Sequence, residues 1–154
     1  MRRVLSNLFV VLGCRFVLAV LFMWAAVPKI MDPNAFATAI DNYHFLPHVL
    51  VNLWGIVLPW VELTVGVILL LGPASDPPYD SVTEAAALVS ALMYLSFVIA
   101  LAAALARGLD IDCGCFNQGG NGVINWTYLV RDSSLLAASL VVFAFHRRLA
   151  KTSP

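Results

Sequence analysis

Residues 110–118 read Asp-Ile-Asp-Cys-Gly-Cys-Phe-Asn-Gln, and the thiols of Cys113 and Cys115 are the side chains of this chain best suited to chemistry. A disulfide between residues two apart closes a very small ring. Favourable bridges need Cα separations of about 4.4–6.8 Å, at the edge of what a tripeptide reaches. Gly114 eases the turn, because glycine takes positive φ without a Cβ clash. Strain in such a ring makes the bond easier to reduce, which suits a redox centre that opens and closes. As a structural staple it would remove little unfolded-state entropy. Two other readings stand beside exchange. Paired thiolates select soft ions such as Cu(I) or Hg(II), and two thiols in a loop can also be inert. Zinc is not expected, since a closed site takes four ligands and no second Cys or Cys/His pair stands nearby.

The elements that must position this pair are apolar. Of 154 residues, 61% are hydrophobic and 12% charged, with a mean hydropathy of +0.87. A soluble domain carries about 25% charge, so this chain has too few charges to cover a water-facing surface and is expected in a lipid bilayer. Net charge is zero and no basic stripe points to nucleic acid. Four apolar runs, about 4–27, 49–71, 85–106 and 129–145, approach the ~20 residues that a ~30 Å hydrocarbon core demands. Lipid cannot satisfy backbone polar groups, so each run must be a helix. The expected fold is all-α, a single integral-membrane four-helix bundle over residues 1–154.

The connections carry their own signals. Pro33 behind Asp32, then Phe36, Ile40 and Tyr43, predicts a short interfacial helix between spans one and two that ends before Pro47, with Asp32 as its N-cap. The stretch G-P-A-S-D-P-P-Y-D-S, residues 72–81, is a proline-punctuated turn. Met-Arg-Arg ahead of an apolar run, with V-L-G-C at 11–14, looks like an export signal. A signal's apolar core spans only about 7–15 residues, whereas this run continues past Cys14 to Val27. The segment is therefore read as the first span, and Cys14 as a small buried hydrophobe.

Charge sets the expected orientation. With four spans, the termini share a side with loop 72–84 and carry Arg2, Arg3, Arg147, Arg148 and Lys151; the other side carries Lys29, Arg107 and Arg131. The positive-inside rule then places both termini in the cytoplasm. Cys113 and Cys115 face outward from a bacterial cytoplasmic membrane, in the compartment where disulfides persist. Lys29, Asp32, Arg107, Asp110, Asp112, Arg131 and Asp132 share that side. Lys29 or an arginine beside a thiol would favour the thiolate, and Asp112 next to Cys113 would oppose it. Inside the spans, Arg15 and Glu62 fall at similar depth, roughly 18–20 Å from the outer ends near Val27 and Val49. That predicts a buried Arg15–Glu62 ion pair, serving as a clamp or as a proton or ligand site.

The stretches P-K-I-M-D-P-N-A-F (28–36), Y-H-F-L-P (43–47), P-W-V-E-L-T-V-G (59–66), R-G-L-D-I-D-C-G-C-F (107–116) and W-T-Y-L-V-R-D (126–132) together resemble the MauE/DoxX group of redox-associated membrane proteins. D-C-G-C-F points to the MauE branch. Where that family often continues Cys-Phe-Gly, this chain has Asn117. The resemblance implies a four-helix membrane bundle and a role in electron or disulfide traffic, with Cys113 and Cys115 as the thiol pair and Lys29, Asp32 and Glu62 as matching polar positions. It also implies thioredoxin-like or disulfide-containing extracytoplasmic partners, as in maturation of a disulfide-rich periplasmic dehydrogenase. The expectation is thus thiol–disulfide exchange through a mixed disulfide. With one cysteine pair, electrons must continue to a partner protein or a membrane quinone, and no cofactor motif is present. A soft-metal binder and a scaffold for a redox partner remain as alternatives.

Overall fold

The computed structural model describes residues 2–44, 47–72, 79–108 and 126–152. Their regular structure is entirely helical: α1 (Arg2–Met31), α2 (Pro33–Asn42), α3 (His48–Leu71), α4 (Tyr79–Ala106) and α5 (Trp126–Thr152). Stretches of α1, α3, α4 and α5 (Phe9–Met31, His48–Leu71, Ser81–Ala106 and Trp126–Arg147) are long and apolar enough to cross a membrane, and the chain is a multi-pass membrane protein. The short helix expected between spans one and two is α2. The bundle has a loop end, where α2, the α4 terminus and the α5 start lie, and a terminal end, where α3 gives way to α4.

Local chemistry fixes the boundaries. Pro28 lies in the last turn of α1, where it offers no N–H to continue the ladder. Asp32 leaves the helical region (φ −135°, ψ 80°) and its Oδ1 accepts from Ala35 N at 3.0 Å, with Pro33 opening α2. This is the N-cap read from the sequence. Only one residue separates the two helices. At the far end of α4, Gly108 takes φ +65° and its N–H donates to Leu105 O at 3.1 Å. That left-handed glycine stops the helix at the start of the cysteine-bearing connection. The Arg107 guanidinium then donates to Ala103 O (3.1 Å) and across to Tyr43 O (2.6 Å), tying the end of α4 to the end of α2.

Helices α1 and α2 together run antiparallel to α3 in one register. Arg15 meets Leu69, Gly66 sits against Ala19 and Met23, Lys29 meets Glu62, Gly55 touches Ala37, and Asp41 meets His48. The hairpin bend therefore falls between Tyr43 and His48, beyond α2. The predicted Arg15–Glu62 pair assumed that the bend occupied the whole stretch 28–48 and levelled Val27 with Val49. Because α2 continues the antiparallel run, α1 slides along α3, and Arg15 meets Leu69, two turns or about 10 Å beyond Glu62. Glu62 takes Lys29 instead.

The second hairpin, α4 with α5, closes the bundle, and the two hairpins adjoin along α1–α5 and α3–α4. Leu18, Ala19, Phe22, Val65, Leu69, Ala87, Tyr94 and Val142 form the central core. Buried polar residues recur every seven positions, two helical turns: Thr83 and Ser90 on α4, and Asp132, Ser139 and His146 on α5. Ser90 Oγ donates to Ala87 O and Ser139 Oγ to Leu135 O, both at 3.0 Å. These serines satisfy themselves on their own helices, and small residues of this kind let membrane helices approach closely.

Candidate functional site

The most polar part of the interior lies at the loop end. Lys29, in the last turn of α1, points its ammonium at α3, where Nζ donates to both oxygens of Glu62 at 2.6 and 2.8 Å. The side chains are 3% and 1% exposed, so neither charge is solvated by bulk water. Two aromatic faces complete the ammonium's surroundings: Phe36 of α2 with its centroid 4.7 Å away, and Phe97 of α4 at 5.8 Å. Cation–π attraction of this kind grows when the cation is desolvated. Four helices thus converge on one nitrogen. The C-terminal position on α1 also suits a cation, since the helix dipole is negative there.

The second hairpin brings its own pair. Arg131 Nε donates to Asp132 Oδ1 at 2.8 Å, with Asp132 buried and Arg131 about one-third exposed. Neighbours in a helix do not normally face each other. Here the guanidinium folds back over the Tyr128 ring, 5.1 Å from its centroid, and so reaches the adjacent carboxylate. Between the hairpins lies a partly open cavity lined by Leu21, Phe22, Ala25, Lys29, Glu62, Tyr94, Phe97, Arg131 and Asp132, with about 20 Å³ of space for a water molecule.

The terminal end handles charge differently. Arg15 is buried, its Nε donating to Leu69 O at 3.1 Å and its Nη2 to Gly72 O. These carbonyls belong to the last turn of α3, which has no further helical N–H to bond. The guanidinium sits at the negative end of that helix. Arg15 is therefore an architectural cap on α3.

Of the residues singled out from the sequence, Lys29, Glu62 and Arg131 line the cavity, Asp32 caps α2, and Arg15 stands apart at the other end. Cys113, Cys115 and Asp112 lie outside the described residues, in the connection between Gly108 and Trp126. Cys14 is a free, half-buried cysteine packed on the core. Among the described residues, no group of three His, Cys, Asp or Glu side chains is placed to hold a metal ion. Sequence reasoning gave Asp132 a place at the outer face but not a buried one. The signal was available in its offsets of seven to Ser139 and His146. Phe36 and Phe97 as walls around Lys29 left no trace in the sequence, because α2 and α4 approach only through the tertiary fold.

Comparison with known proteins supports a family assignment. The sequence profile described as "Methylamine utilisation protein MauE" matches residues 7–145. The chain is 34% identical over 129 residues to the methylamine utilization protein MauE of Paracoccus denitrificans, covering 83% of this chain and 65% of that protein. Against the protein of the same name from Methylorubrum extorquens it is 35% identical, covering 81% and 63%. Against that from Methylophilus methylotrophus it is 33% identical, covering 78% and 60%. The match thus spans less than two thirds of each of these relatives' length. No solved structure matches significantly. With a profile match over most of its length and relatives above 30% identity, the chain belongs to the MauE family.

Proposed function

We propose that this protein is a membrane thiol–disulfide exchange component serving an exported client in methylamine utilisation, the process named in its relatives. The observation that carries the reading is the Cys113-Gly-Cys115 pair, held in the connection between α4 and α5. That connection joins the bundle at the end where Lys29, Glu62, Arg131 and Asp132 gather. In this reading both termini are cytoplasmic and the thiols face the exported side of the bacterial cytoplasmic membrane. One thiolate attacks a partner disulfide, a mixed disulfide forms, and the second thiol resolves it. The protein dithiol becomes a disulfide while the partner disulfide becomes a dithiol, so electrons and protons balance between the two. The partner is a thioredoxin-like or disulfide-containing extracytoplasmic protein. Asp112, adjacent to Cys113, and Asp32 at the α1–α2 junction shape the approach; Lys29 and Arg131 lie at the loop end, each held by a carboxylate.

Trapping tests this reading. In membranes, whichever of C113S and C115S removes the resolving thiol is expected to accumulate a mixed disulfide with one partner, identified by mass spectrometry and released by reductant. If neither variant ever yields one, exchange is excluded. Stoichiometric Cu(I) on the reduced protein would then favour soft-metal binding, and an unchanged copurifying partner would favour a scaffold. A membrane-impermeant maleimide added from outside should label both thiols; labelling only from the cytoplasmic face would overturn the orientation.

A further inference from the structure

We propose that α2 is a hinged lid over the Lys29–Glu62 pair, held shut at its far end by Arg107. Three observations carry this. First, the backbone bends at both ends of α2. Pro33 has no N–H to offer Lys29 O, and the Ala35 N–H turns to Asp32 Oδ1 instead of Met31 O. Those two carbonyls are thereby released from the helical ladder, so α2 can swing about Asp32 without unwinding α1. At the other end His44 takes φ +48°, a left-handed conformation uncommon outside glycine. Second, α2 is lightly held. Its 10 residues are too few for a stable isolated helix, and Phe36 is its one buried side chain. The far end is fastened by exposed contacts: Asp41 to His48 Nδ1 at 2.8 Å, and the Arg107 guanidinium to Tyr43 O at 2.6 Å. Exposed charge contacts of this kind add little to stability.

Third, the buried side chain is the cover. The Phe36 ring centroid lies 4.7 Å from Lys29 Nζ, and this ammonium, on a side chain 3% exposed, donates to both Glu62 oxygens. Lifting α2 withdraws that ring and opens the pair at the loop end, while Lys29 and Glu62 stay together on α1 and α3. Elements with few buried contacts open locally at far lower cost than the whole fold. Gly55 marks the closed seat: a Cβ there would lie 3.1 Å from Ala37 Cβ. Disulfides join Cβ atoms about 3.5–4.5 Å apart, so A37C/G55C needs only a slight shift to bolt the lid. The lid belongs to the bundle and works however the thiols react.

Two measurements on the purified full-length chain in lipid nanodiscs test it. The first is the rate of lysine acetylation, read by mass spectrometry. Lys29 and Lys151 are the chain's two lysines, and Lys151, beyond the last span, serves as the reference. R107M should speed acetylation of Lys29 relative to Lys151 roughly threefold, the scale of one exposed charge contact. Oxidised A37C/G55C should slow it about tenfold against the same variant reduced, because local opening is blocked; wild type carried through both treatments accounts for the native cysteines. Equal Lys29 rates in wild type, R107M and both forms of A37C/G55C overturn the lid. The second measurement is hydrogen–deuterium exchange. Amides 35–42 of α2 should exchange about tenfold faster than amides 51–58 of α3, and R107M should speed the α2 set alone. Protection of α2 equal to that of α3 overturns the lid, and this wild-type comparison decides if either variant fails to fold.

Discussion

Lys29 and Arg15 are both buried cations on α1, two helical turns either side of Phe22, yet they are satisfied in opposite ways. Lys29 meets a carboxylate, two aromatic rings and a small open cavity. Arg15 donates to backbone carbonyls in the last turn of α3, where Gly72 packs against Thr83. A charge held by another side chain depends on that side chain's protonation and can trade partners. The loop end holds its buried cation with a side chain, and the terminal end uses a helix terminus.

Breaking the loop-end pair should have the largest effect. E62A leaves the Lys29 ammonium buried without its counterion and should cost about 3–5 kcal/mol, as for other buried pairs cut on one side. The double change K29M/E62L should recover most of that loss in equilibrium unfolding from mixed micelles. A double variant no more stable than E62A would show that the pair is not a closed unit. The swap R15E/E62R tests the register itself: it should be no better than either single variant, because the two residues belong to different ends.

Arg15 comes next. R15M removes charge-assisted hydrogen bonds to the last turn of α3, each worth roughly 1.5–3 kcal/mol. It should lower stability by about 3 kcal/mol without altering the reactivity of Cys113 or Cys115 to maleimide, whereas loop-end variants should alter both. A change in thiol reactivity in R15M would erase the distinction between the ends. G66A probes the contact between them. An added Cβ would lie 2.9 Å from Met23 Cγ and 3.1 Å from Ala19 O; Met23 can move but the carbonyl cannot. A cost of about 1–3 kcal/mol follows from overpacking, read as a lower thermal midpoint. D32A should have the smallest effect, about 1 kcal/mol for a lost N-cap, seen as earlier melting with the Lys29–Glu62 pair intact.

Part of this was legible one residue at a time. The Asp32-Pro33 junction announces a helix start because the chemistry is local: a carboxylate three residues ahead of an open N–H, and a ring with the right φ. The four spans are equally local, since composition alone forbids a water-facing fold. Partner choice among buried charges was not legible. Depth measured from apparent span ends put Arg15 opposite Glu62, and the error came from treating 28–48 as one surface connection. Nothing in the sequence of Ala37 or Gly55 states that they touch, and that contact extends the hairpin and sets the register.

The sequence by itself determined that this chain enters a membrane as helices, that a short helix starts behind Asp32, and that one pair of thiols shares a connection with acidic and basic neighbours. Hydrophobic length and capping chemistry act over a few residues, so they can be read in order. Only the tertiary structure decided that Lys29 neutralises Glu62, that Arg15 closes a helix end, and that Asp132 lines a cavity between the two hairpins. Those outcomes depend on how far one helix slides along another, and that distance is set by packing contacts between residues far apart in the chain.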